Sequence, residues 1–78
     1  MNKLRRKGLR EIIDQLEALK DELETLKDEE EEYLDNMPEN LQGSDRYETA
    51  EEAVSNMDDA ISSLEEAISS IEEATGEG

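Results

Sequence analysis

The sequence predicts an all-α fold: an antiparallel two-helix hairpin of the coiled-coil type that dimerises into a four-helix bundle. Three observations lead there. Apolar residues recur at three-four spacing through both halves of the 78-residue chain, Pro38 and Gly43 fall between those halves, and a seven-residue word repeats along the second half. Three-four spacing sustained over many turns marks a helix with one buried stripe, whereas a strand would alternate.

The first helix is expected over about residues 3–36. Leu9, Ile12, Leu16, Leu19, Leu23, Leu26, Glu30, Tyr33 and Met37 follow the heptad spacing, with Ile13 and Leu34 widening the stripe beside them. Counting Leu9 as position a makes Ile12 the first d. Gly8 is a weak point near the start. Glu30, at an a position, is a polar interruption of the kind that fixes register or loosens packing. A loop over about 37–45 follows, because Pro38 cannot continue a helix and Gly43 eases a reversal. Leu41 belongs to neither heptad and is expected to plug the open end against Met37 or Tyr47. Tyr33 and Tyr47 are expected to close that end as a pair. Asp45 and Glu48 match a capping box at the start of the second helix.

The second helix is expected over about 46–75. Its stripe is Tyr47, Ala50, Val54, Met57, Ile61, Leu64, Ile68, Ile71 and Thr75, and Gly76 supplies a stop. Thirty residues at about 1.5 Å each make a rod about 45 Å long.

From Ala53 onward the repeat places Ala53, Ala60, Ala67 and Ala74 at position g, beside the buried stripe. Small apolar residues there broaden the apolar face beyond what one neighbouring helix covers. They are therefore read as an oligomer face, used by a second copy or by a helix of another protein. The pairs Glu51/Glu52, Asp58/Asp59, Glu65/Glu66 and Glu72/Glu73 fall at e and f, and form a carboxylate ladder with a step of about 10.5 Å. These eight acids are the candidate partner-binding surface.

The charge is −16, with 24 acids against eight lysines and arginines, five of them among residues 3–10. A field of that sign repels nucleic acid and anionic membrane and draws basic proteins. Antiparallel pairing brings Lys20 near Glu65 and Lys27 near Asp58, and sets Arg5, Arg6 and Arg10 beside Glu72, Glu73 and Glu77 as internal counter-charge, the alternative for this basic tract being a contact for another molecule. Cysteine and histidine are both absent, which removes disulfides, the usual zinc sites and Ser/His or Cys/His catalytic pairs. Carboxylates that point outward along a rod do not converge in a pocket, so no catalytic, cofactor-binding or metal residue is assigned and an enzyme is not expected. Glu29 to Glu32 could at most attract divalent cations weakly. No apolar run is long enough for a membrane span and residues 1–10 lack a signal-peptide core, so a cytoplasmic location is expected.

The segment Asp35-Asn36-x-Pro38-Glu39-Asn40-Leu41-Gln42, with the Ala-Ile repeats after it, resembles small acidic helical-hairpin proteins of Gram-positive bacteria and their phages. The likeness spans most of the chain. It implies a helical hairpin and carries no reaction with it.

Two functions from different classes follow. The first is a non-enzymatic protein-binding module, an oligomerisation or adaptor protein, whose partner is itself as a homodimer or a basic protein. The alternative is a DNA-mimic inhibitor of phage or mobile-element type that fills the basic cleft of a nuclease or other nucleic-acid-binding protein. Its ladder step of about 10.5 Å is near three phosphate spacings of about 3.4 Å. Under either reading the crowded acids oppose folding by self-repulsion. Helicity and melting temperature, followed by circular dichroism, should therefore rise with added salt and as pH falls toward the carboxylate range.

Overall fold

The computed structural model describes residues 1–76 and contains two long helices packed against each other, α1 over Lys3–Asp35 and α2 over Asp45–Thr75. A short 3-10 turn, Glu39–Leu41, lies in the connection. The hairpin measures 59 × 15 × 15 Å.

Local chemistry sets each boundary. Asn2 caps α1, its Oδ1 accepting from the Arg5 backbone N–H at 2.8 Å. At the far end the extended conformation of Pro38 stops the helical path, and Leu41 N–H donates to the Pro38 carbonyl at 2.9 Å to begin the reversal. The cap of α2 is Ser44, not the expected Asp45-Glu48 box. Ser44 Oγ accepts from Tyr47 N–H at 3.3 Å and donates to the Leu41 carbonyl at 2.6 Å, so one hydroxyl ties the turn to the helix. Asp45 is already the first helical residue, where its charge and that of Glu48 favour the positive end of the helix dipole. Gly76 closes α2 in the left-handed conformation at φ 79°, donating to the Glu73 carbonyl at 3.0 Å.

On α2 the inward stripe is the expected one. Ala50, Ile61, Ile68 and Thr75 are buried, while Tyr47, Val54, Met57, Leu64 and Ile71 are half-buried. On α1 the stripe is rotated. The residues turned toward α2 are Leu9, Ile13, Leu16, Lys20, Leu23, Lys27, Leu34 and Met37, the a and e positions. Ile12, Leu19, Leu26 and Tyr33, expected in the seam at d, remain 44, 54, 56 and 43% exposed. The apolar surface of α1 is wider than a single neighbour can cover, and α2 settles over the side that also lets Lys20 and Lys27 reach acids. Their aliphatic stems cover the seam while the ammonium groups stay at its edge.

The loop end differs too. Met37 is buried, but Leu41 is exposed and lines an open pit with Tyr33, Asn36, Met37, Pro38 and Arg46, so it does not plug the hairpin. The two tyrosines lie on different faces, Tyr47 half-buried in the seam and Tyr33 on the outer flank. Neither helix is long and apolar enough to cross a membrane.

The core is thin, which makes each buried residue matter. Ile61→Ala should cost about 2–4 kcal/mol by lost burial and cavity formation. Leu26→Ala in dilute solution should cost less than about 0.5 kcal/mol, the range of exposed sites. Urea unfolding of the two variants checks the rotated seam, since equal losses would place Leu26 inside it.

Candidate functional site

The seam between the helices has two edges of opposite character. Along one runs the e row of α1, Arg6, Ile13, Lys20, Lys27 and Leu34, facing the e row of α2. Here Lys20 Nζ lies 3.9 Å from Glu65 and Lys27 Nζ lies 3.2 Å from Asp58, with Glu31 on the same helix 3.6 Å from Lys27. Both expected interhelical pairs therefore form. The Lys27 hydrogen bond to Asp58 holds its ammonium above the usual lysine range, with partial desolvation opposing and the charges of Asp58, Glu31 and Asp28 adding.

Along the other edge the exposed d row of α1 meets the g row of α2. Tyr33 and Ala53 line one shallow groove with Glu30, Arg46, Thr49 and Ala50. Seven-residue steps down α1 and up α2 then pair Leu26 with Ala60, Leu19 with Ala67 and Ile12 with Ala74. Ala60, Ala67 and Ala74 are exposed and Ala53 is half-buried. Four large apolar side chains and four alanines thus share one flank, in register, over 21 residues of each helix or about 32 Å. The alanine row was legible in the repeat. Its companion row on α1 was not assigned to this face, although Lys20 and Lys27 carry the signal: once they face α2, the d row must turn out.

The carboxylate ladder divides between surfaces. Glu51, Asp58, Glu65 and Glu72 lie on the ionic edge, where Asp58 and Glu65 are ion-paired. Glu52, Asp59, Glu66 and Glu73 form the f row and are exposed. The two halves of the ladder therefore have different work: one contributes to helix pairing, the other faces solvent.

At the open end the expected counter-charge is only partly in place. Among the described residues no ion pair within 4 Å joins Arg5 or Arg6 to Glu72 or Glu73, and Arg6 Nε is buried without a hydrogen-bond partner. Glu77, the third acid expected there, lies outside the described residues. Among those residues, no group of three or more Asp and Glu side chains is arranged to hold a metal ion, Glu29 to Glu32 included.

The raised Lys27 pKa has a signed consequence. Its contribution to stability is complete below the ordinary lysine value of about 10.4 and is lost as pH rises through the higher folded value. Asp58→Asn removes the main cause, so the melting temperature should be lower than that of the unsubstituted protein below about pH 10 and its alkaline fall smaller, the two converging as pH rises through the folded value. Paired thermal scans from pH 9 to 12 measure the difference, which vanishes if the bond does not form.

The chain matches no protein-family model, no curated protein and no solved structure.

Proposed function

We propose that this protein is a non-enzymatic protein-binding module that docks helices on the flank formed by Ile12, Leu19, Leu26 and Tyr33 with Ala53, Ala60, Ala67 and Ala74. The observation that carries this reading is the shared register of the two rows. Large side chains beside alanines also suit helix docking, because the small residues let a neighbouring backbone approach while the large ones fill the space between.

A second reading is supported by the outward f row. Glu52, Asp59, Glu66 and Glu73 repeat every seven residues on a face that no ion pair among the described residues neutralises, the arrangement a DNA-mimic inhibitor of a basic cleft requires. The two readings use different faces and separate cleanly. Ala60→Glu with Ala67→Glu should abolish docking, measured as loss of association by sedimentation and of partner capture on immobilised hairpin, with helicity retained. Neutralising the f row to Gln and Asn should leave docking intact. The opposite result, capture lost only with the f-row acids, would transfer the function to the carboxylates.

A further inference from the structure

Resting on that docking reading, we infer that the occupant of the flank is a second copy of this chain laid antiparallel to the first, with the two loop ends at opposite ends of a four-helix bundle. The flank is its own complement under that symmetry. About a twofold axis across the rods, residue n of α1 lies level with residue 45−n of its partner, so Ile12 meets Tyr33 and Leu19 meets Leu26, while Ala53 meets Ala74 and Ala60 meets Ala67. Isologous contact of this kind closes after two copies. The apolar flank, about 32 Å long on a hairpin 15 Å wide, covers roughly 1,000 Å² when two copies meet, the minimum for a stable interface.

Apolar matching alone permits a head-to-head alternative, in which each α1 lies on the partner's α2 and both loops share one end. Charge decides between them. Helix α1 is charged against its own dipole: residues 3–10 carry five cations and no acid, while residues 28–35 carry six acids and no cation. Cations at a helix start and acids at its end each weaken an isolated helix. By the same register residues 3–10 of each α1 lie level with residues 35–42 of the other, which carry Asp35 and Glu39, while residues 28–35 lie level with 10–17, which carry Arg10 against Glu11, Asp14 and Glu17, so the choice rests on the charge of the whole rod. The same imbalance holds for the whole rod. Its loop half, residues 23–63, has 14 acids and two bases, net −12, and its open half, residues 1–22 and 64–76, has nine acids and six bases, net −3. Head-to-head assembly would gather −24 at one end, whereas antiparallel assembly spreads −15 over each half.

The test uses the full chain, which has no native cysteine, with a spin label at Gly43→Cys, where a new Cβ meets nothing within 4 Å. Sedimentation equilibrium should show a dimer, and pulsed dipolar spectroscopy should place the two labels about 50 Å apart, near the length of the 59 Å rod. A dimer with labels closer than about 25 Å, the width of two packed hairpins, would overturn the antiparallel arrangement. A single 8.8 kDa species at all concentrations would remove the second copy. In that case capture of another protein, lost on Ala60→Glu with Ala67→Glu, still distinguishes this failure from failure of the docking reading.

Discussion

Two helices can hide only one stripe of each other, and α1 has more apolar surface than one stripe holds. That constraint organises the molecule. With a, d and part of e apolar, α1 must leave something outside, and what it leaves is the d row. The choice is not made by hydrophobicity, since Ile12, Leu19 and Leu26 are as apolar as the residues that go in. It follows from Lys20 and Lys27, whose stems can cover a seam while their charged ends meet Asp58 and Glu65. Exposed pairs of this sort contribute little to stability. They can still settle which of two equivalent stripes turns inward, because a small difference suffices when the alternatives are otherwise balanced.

The outcome is a rod with an ionic edge and an apolar edge on opposite sides of one seam. The acids that dominate the composition are then of two kinds. Those at e of α2, with Glu31 of α1 beside Lys27, lie along the seam, and the exposed remainder keep the outer faces wet and repel nonspecific association. An exposed apolar stripe is ordinarily a solubility hazard; here it is flanked by like charges that resist close approach by anything lacking a matching stripe or a compensating charge.

Much of this was legible in the sequence, for reasons that differ by element. Helix boundaries were readable because Pro38 and Gly76 act locally, and the α2 stripe because its repeat has a single apolar face. The rotation of α1 was not, since periodicity shows which residues are apolar and cannot say which of two adjoining stripes meets the sibling helix. Ser44 was missed in favour of its neighbour because both are good capping residues, and the distinction depends on which backbone amide lies within reach. Leu41 was expected inside on hydrophobicity alone, but a turn tightened by Pro38 and Ser44 leaves no enclosed space for it. The alanine row was found from the repeat, whereas its meaning as half of a flank required the orientation of α1.

The repeated word in α2 also has a topological consequence. Sliding α2 by seven residues would bring Lys27 opposite Glu51 or Glu65 in place of Asp58, and Lys20 opposite Asp58 or Glu72, so every alignment offers each lysine a carboxylate. The alanines and aliphatic residues likewise exchange places with their own kind. Within α2 from Glu51 to Ala74 one notch looks much like the next. Glu30 in the α1 stripe and the span from Asn36 to Ser44, with its prolyl stop and serine tie, count the heptads, and severing that span would leave a hairpin free to slide.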